Sequence, residues 1–417
     1  MTSIVRNGSR GPLKFIMFPL GWLLAHTGRL MEIGRVLRAR GHEVVFAGDD
    51  PNHPRSKMGM ARDAGFRLAY AREPNHPYAW DRFIRYGWTV TAWDLLWHQG
   101  WAPLDEILEG QIRLIDEEAP DMVVGDGTIS VSTAAYICGI PGAGVMNAYA
   151  TRFVSRTSIF MPMIKIWDAV HLSGIRRRVY RKYGRKPVNA LKLLNAIPLI
   201  SPDLEGFYDP PKGWREWHMV GPIISEPDVP LPEWYAELDD GRPNVYITMG
   251  STGMLDAFLR RSFESLAQMP YRFLVTTAGQ VSKDTLVMTP DNFRIARYAP
   301  GSKLLEKSQA LIFHGGNGTM YQGLAAGVPM IALPCHLEQD ICAEMVVKRG
   351  VGLSFKPWRV SGRRLTEALD RILEEPAFRE NAQRYSAEVR NANGAERAAD
   401  ILEAAAREGK PAGADLH

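Results

Sequence analysis

The sequence predicts an α/β protein with two doubly wound domains facing across a cleft. Three observations carry this reading. The 417 residues exceed one ordinary domain of about 150 residues. The chain opens as strand, helix and strand, the unit of a parallel sheet. The same alternation restarts after a proline-rich stretch near the middle.

The elements follow in order. Leu13–Phe18 is a short apolar strand, and Leu30, Ile33 and Leu37 at helical spacing mark a helix from about Gly28 to Arg40. Gly41 stops it, and Glu43–Ala47 is a second strand. Asp121–Gly125 reads as a strand, Ser130–Cys138 as a helix of small residues and Gly144–Asn147 as a strand. Pro210, Pro211, Pro222, Pro227, Pro230 and Pro232 then favour an extended linker. Beyond it come the strand Asn244–Met249, the helix Ala257–Gln268 and strands at Arg272–Thr277 and Phe293–Ala296. Ala310–His314 is a buried strand, Thr319–Ala326 a helix and Met330–Leu333 a strand. Helices run from about Glu338 to Arg349 and from Gly362 onward, with breaks near Pro376 and Asn393 and an expected mobile tail at Gly409–His417.

Composition narrows the class. Hydrophobic residues are 46% and charged residues 23%, ordinary for a globular protein. With 50 Lys and Arg against 46 Asp and Glu, the net charge of +4 argues against a nucleic-acid partner. Cys138, Cys335 and Cys342 form no C-x-x-C and cannot all pair, so a reducing cytoplasm is the expected compartment. The apolar run Pro12–Ala25 is too short to span a bilayer, and a helix start follows it instead of a small-residue cleavage site.

Several motifs are absent. Gly316 and Gly318 begin a G-x-G-x-x-G, but Tyr321 stands at its third glycine. There is no phosphate-loop lysine motif, no G-x-S-x-G, no H-E-x-x-H and no D-x-D acidic pair, and Asp49–Asp50 and Asp239–Asp240 read as turns. No metal or cofactor is therefore expected.

The strongest signal is ALIFHGGNGTMYQGLAAGVPMIALPCHLEQ at residues 310–339. A strand ends at His314, and Gly315, Gly316 and Gly318 let the backbone turn close to a ligand. The helix that starts near Gly318–Thr319 offers N–H groups and a positive dipole end to an anion such as phosphate. His314 and Thr319 add hydrogen-bonding groups, and Gly250, Ser251 and Thr252 end another strand at the same sheet edge.

This stretch resembles the signature of nucleotide-sugar-dependent glycosyltransferases of the family 1 type, with two Rossmann-like domains in the GT-B architecture. The shared pattern is His314, Gly316, Gly318 and Thr319, then Gly327–Val328–Pro329, then Pro334 with Glu338–Gln339. The resemblance implies that His314, Gly316, Asn317, Gly318 and Thr319, with Gly250, Ser251 and Thr252, hold the donor diphosphate. It implies that Glu338 and Gln339 bind sugar hydroxyls, and that Tyr298, Ala299 and Gln322 meet the nucleoside. Gln322 stands where the family often has a ribose-binding Glu, and Gly301 where it often has Gln.

In the first half, Ala25–His26–Thr27–Gly28–Arg29 and Arg40–Gly41–His42 resemble the family's Gly-His-x-x-Pro and Arg-Gly-His, with Ala25 for Gly and Arg29 for Pro. His26 falls on the catalytic histidine and Asp126 on its carboxylate partner. Position supports the same roles, since both residues follow strands at the ligand-binding edge, where an imidazole can act as base and a carboxylate can fix its tautomer. His42, at a helix C-terminus, reads as structural.

Two segments are candidates for acceptor contact. Trp80, Trp88, Trp93, Trp97 and Trp101 crowd residues 80–101, and the spacing of Trp93, Trp97 and Trp101 makes one helical stripe, a core face or an aromatic wall. Residues 152–186 carry ten Lys and Arg against Asp168 alone, together with Phe160 and Met163. Such a stretch is a solvated face, a site for an acidic acceptor or a peripheral contact with the inner membrane face. Trp80, Trp93, Trp97, Phe160 and Met163 are the acceptor candidates.

The reading that follows is an inverting glycosyltransferase moving a sugar from a nucleoside-diphosphate sugar, UDP-sugar first, to a hydroxyl of a small apolar natural product. Its partners are the donor and the acceptor, with no nucleic acid. The alternatives are a membrane-associated lipid glycosyltransferase, a nucleotide-sugar 2-epimerase and an inactive transferase partner. The expected organisation is an acceptor-binding domain at 1–221, a linker at 222–243, a nucleotide-sugar-binding domain at 244–392 and a C-terminal helix and tail at 393–417.

Overall fold

The computed structural model describes residues 11–21, 23–52, 56–71, 104–128, 130–150, 165, 169, 175–209, 213–250, 252–335 and 337–416. The chain divides into two compact units, Met1–Ser225 with Asn393–His417, and Glu226–Ala392.

The first unit is built on a parallel sheet of β1 (Lys14–Pro19), β2 (Glu43–Gly48), β3 (Arg67–Tyr70), β4 (Met122–Asp126), β5 (Gly142–Val145), β6 (Leu199–Ser201) and β7 (Trp217–Met219). Their order is β3-β2-β1-β4-β5-β6-β7, with every pairing parallel. Helices cover both faces. Along β1, Phe15 and Met17 enter one core and Ile16 and Phe18 the other, so its apolar run has no polar side. The described helices are α1 (Leu24–Ala39), α2 (Met58–Asp63), α3 (Leu104–Glu118), α4 (Ser130–Cys138), α5 (Ile175–Lys182) and α6 (Ala190–Leu194).

Helix α1 corrects the expected start at Gly28. It begins four residues earlier, so His26, Gly28 and Arg29 are helical. No side chain caps it, because Leu23 holds the N-cap position in extended conformation, and the usual Ser, Thr or Asp marker is missing. Gly28 serves packing, since a Cβ there would lie 2.4 Å from the Ser225 hydroxyl oxygen. His42 is structural: its Nδ1 accepts the Leu13 N–H at 3.0 Å, tying α1 to β1.

The second unit repeats the plan with β8 (Asn244–Thr248), β9 (Arg272–Thr276), β10 (Phe293–Ala296), β11 (Ala310–Phe313), β12 (Met330–Ala332) and β13 (Gly352–Ser354). Their order is β10-β9-β8-β11-β12-β13, again parallel throughout. The helices are α7 (Leu255–Ala267), α8 (Lys283–Val287), α9 (Gly301–Glu306), α10 (Asn317–Ala325), α11 (Leu337–Lys348), α12 (Gly362–Glu374) and α13 (Pro376–Arg390). A last helix, α14 (Gly394–Glu408), belongs to the first unit, where Ala398, Ala399 and Leu402 join the core beside α1. Arg40 pairs there with Glu396 at 2.8 Å and Asp400 at 2.7 Å.

Two further expectations are corrected. The proline-rich stretch is not a free tether, since Glu233–Asp239 forms a 3₁₀ helix whose Leu238 is buried and whose Tyr235 hydroxyl bonds the Lys303 carbonyl. The tail is held too: Ala412 is buried, its N–H bonding the Ile140 carbonyl. Strands β3, β6, β7 and β13 escape the sequence reading; β3, β7 and β13 are only partly buried strands at sheet edges, without the apolar run that marks β11 and β12. Among the described residues no helix is long and apolar enough to cross a membrane.

Both sheets reverse strand order beside their first strand, at β1/β4 and at β8/β11. In open parallel sheets the crevice at such a point, at the carboxyl ends of the strands, is where ligands bind. His26 and Asp126 fall at the first of these places and the loops after β8 and β11 at the second, while Tyr298 and Ala299 follow β10 and Glu338 and Gln339 follow β12.

Candidate active site

In the first unit, β1 and β4 end together, with Pro19 in register with Asp126. Asp126 is fully buried. Its Oδ1 lies 2.6 Å from Nδ1 of His26. Gly127 has φ +71°, and a Cβ there would come within 3.0 Å of the imidazole, so glycine is required beside His26. With Nδ1 committed to the carboxylate, Nε2 is the ring nitrogen left for chemistry.

A third residue completes the group. Arg29 lies one turn after His26 on α1, and its Nε bonds Asp126 Oδ2 while its Nη2 bonds Oδ1. Its Nη1 bonds the Asn147 side-chain oxygen, from the loop after β5. Burial works against both charges, but the pair outweighs it. Arg29 and His26 hold the Asp126 carboxyl below the usual carboxylate range, and Asp126 holds the Arg29 guanidinium above its ordinary value. Sequence reading noted Arg29 only as a departure from a motif. The one hint in the sequence was its place three residues after His26 and four before buried Ile33.

A cavity of about 210 Å³ opens beside this group. Its lining combines the polar residues His26, Arg29, Thr128, Asn147 and Tyr149 with the apolar Val145, Leu194, Ile197 and Leu199. The acceptor candidates Trp80, Trp93, Trp97, Phe160 and Met163 lie outside the described residues. Of the basic stretch, α5 turns Val179 and Tyr180 into the core and leaves Arg177 and Arg178 exposed.

In the second unit, β11 is followed by His314 and by Gly315 at φ +84°. The His314 ring occupies space that no side chain at its neighbours could share. A Cβ on Gly250 would lie 2.7 Å from its Cε1, and one on Gly316 2.3 Å from its Nε2. Gly316 is the N-cap of α10 and no side chain caps that helix, so the N–H groups of Gly318 and Thr319 open the turn. Asn317 directs its side chain inward, its Oδ1 lying 3.8 Å from Cys342 Sγ.

The loop after β8 is fixed internally. Ser251 lies outside the described residues. The Thr252 hydroxyl donates to the Met249 carbonyl at 2.8 Å, so this side chain holds the turn instead of a phosphate. Gln280, which sequence reading missed, clamps the same loop: its Nε2 donates to the Gly250 carbonyl and its Oε1 accepts the Gly253 N–H.

The nucleoside and sugar candidates divide. Tyr298 is 41% exposed, while Ala299 is buried. Gln322 donates from Nε2 to Oε1 of Glu226 at 3.0 Å. Glu226, a second residue missed from sequence, also accepts the Ser302 N–H and hydroxyl, each at 2.6 Å. Gln339 is buried and its Oε1 accepts the Cys335 N–H at 2.9 Å. Glu338 is half-buried in the first turn of α11.

Comparison with known proteins agrees with this architecture. Residues 260–404 match the family model of the erythromycin biosynthesis protein CIII-like C-terminal domain. A PGL/p-HBAD biosynthesis glycosyltransferase of Mycobacterium tuberculosis (strain ATCC 25177 / H37Ra) is 30% identical over 295 residues, 66% of this chain and 68% of the relative. The 4'-demethylrebeccamycin synthase of Lentzea aerocolonigenes is 30% identical over 241 residues, 57% of this chain and 54% of that one. Among solved structures, the spinosyn forosaminyltransferase SpnP superposes with a TM-score of 0.73 at 20% identity, over 95% of this chain and 100% of that one. The calicheamicin glycosyltransferase CalG4 does so with 0.70 at 19% identity, over 95% and 98%. With two parallel-sheet Rossmann-like units and relatives of this kind, the chain belongs to the family 1 type of GT-B glycosyltransferases.

Proposed function

We propose that the enzyme transfers a sugar, with inversion, from a nucleoside-diphosphate sugar to a hydroxyl of a small apolar natural product. The observation that carries this is the His26–Asp126 contact at 2.6 Å beside a partly apolar cavity. The acceptor hydroxyl gives its proton to Nε2 of His26, and Asp126 stabilises the imidazolium. The oxygen forms its bond to the anomeric carbon as the bond to the diphosphate breaks, and the nucleoside diphosphate leaves with the electron pair. One displacement on one face inverts the centre. The turn at His314, Gly316, Gly318 and Thr319 takes up the leaving charge with backbone N–H groups and the dipole of α10. In this reading no metal is needed.

Uridine is the first donor nucleotide. Thymidine is the second, because VinC, a neighbour of the same fold, is described in complex with DTDP. For the acceptor, relatives named for rebeccamycin and PGL/p-HBAD biosynthesis support a natural product.

The test pairs UDP- and dTDP-sugars with a panel of phenolic and polycyclic acceptors, reading product mass and anomeric configuration. His26→Ala should lower turnover a hundredfold or more while UDP or dTDP still raises the melting temperature. Retained turnover in His26→Ala, or a product of unchanged configuration, overturns the mechanism. Conversion of the donor without acceptor overturns transfer itself.

A further inference from the structure

Asp126 serves two partners. His26 Nδ1 and Arg29 Nη2 meet the same oxygen, Oδ1, and Arg29 Nε takes Oδ2. Arg29 is in turn anchored by the Asn147 side chain, and Asn147 is itself buried. A carboxylate held by both prongs of a planar guanidinium cannot turn about its own axis. The direction in which Oδ1 presents itself to the imidazole is therefore set by Arg29. Arg29 Nη2 also lies 3.3 Å from Nδ1. A guanidinium has no acceptor, so it cannot take the proton of Nδ1.

The charged and titratable groups around the imidazole, among the described residues, come from four places. Arg29 shares its helix, Asp126 ends β4, and Tyr149 and Asp203 act on Arg29 from the loops after β5 and β6. Asp203 accepts the Ala148 N–H at 2.6 Å and the Ser201 hydroxyl at 3.0 Å. Two buried carboxylates thus face one permanent cation.

We propose that Arg29 is a positioning residue for the base: it fixes the Asp126 carboxylate so that His26 is held as the Nδ1–H tautomer with Nε2 open. This rests on the reading of His26 as the base. Asp126 orients the imidazole, and Arg29, anchored by Asn147, holds Asp126 in the orientation that does so.

The test uses Arg29→Met and Arg29→Lys in the full chain, with kcat, donor KM and ¹⁵N spectra of histidine-labelled protein. Arg29→Met removes charge and fork, and Arg29→Lys keeps the charge and loses the fork. In both, kcat should fall at least tenfold with donor KM unchanged, and the His26 signal should show mixed tautomers. A folded variant of either kind with wild-type kcat and a single tautomer overturns the positioning role, and Arg29→Lys is the deciding variant if Arg29→Met does not fold. Full activity in His26→Ala marks failure of the base reading instead, and the spectra then judge Arg29 independently of turnover.

Discussion

Gln322 reaches Glu226, its Nε2 donating to the carboxylate at 3.0 Å. The two residues are 96 positions apart, and the second opens the unit that carries the donor signature. A neutral amide at 322 is thereby coupled to a negative charge supplied from elsewhere. The same carboxylate fixes Ser302 at the start of α9. Glu226→Ala should therefore raise the donor KM about five- to tenfold, the scale of roughly 1 kcal/mol for one hydrogen-bonding group, with kcat nearly constant. Donor saturation curves at fixed acceptor measure this, and an unchanged KM would mean that Gln322 needs no partner.

Gly250 and Gly253 form a matched pair for dissecting the donor loop. Both have positive φ, +54° and +72°. A Cβ at 250 would strike the His314 ring, whereas one at 253 meets nothing within 4 Å. Alanine at either site should cost about 1 kcal/mol of backbone strain. Only Gly250→Ala should also abolish the rise in melting temperature on adding UDP or dTDP, because His314 must move. Equal nucleotide responses in the two variants would separate His314 from donor binding.

The Asp126 carboxyl is held below the usual carboxylate range in the folded protein. Such a group adds stability that is present above the unfolded value, about 4, and is lost as pH falls through the lower folded value. Asp126→Asn leaves Arg29 buried without its counter-charge, which costs about 3–5 kcal/mol near neutral pH. The stability gap between wild type and Asp126→Asn should be widest above pH 5 and shrink steadily below pH 4. Denaturant unfolding at several pH values measures it, and a gap that grows on acidification would contradict the assigned direction.

What was legible in the sequence has a common cause. His26, Asp126 and the turn from His314 to Thr319 stand where strands end, and glycines placed at close approaches mark such points. Arg29 was not legible because a cation inside a helix ordinarily faces water, and its burial depends on a carboxylate 97 positions away. Glu226 was hidden in a proline-rich stretch that reads as a spacer. Thr252 was legible as a polar residue in the right loop but not in its bonding, since its short side chain closes on its own backbone.

The return of α14 to the first unit has a practical consequence for exchanging parts between relatives. The polypeptide passes from one unit to the other at 225/226 and back at 392/393. Beside these seams, a Cβ on Gly394 would lie 2.5 Å from the carbonyl oxygens of Gly221 and Pro222. A hybrid enzyme made by a single cut would pair one parent's α1 with the other parent's α14, breaking the Arg40 ion pairs and the shared core. A transplant of donor specificity is therefore a cassette with two joints, residues 226–392, and it keeps glycine at 394.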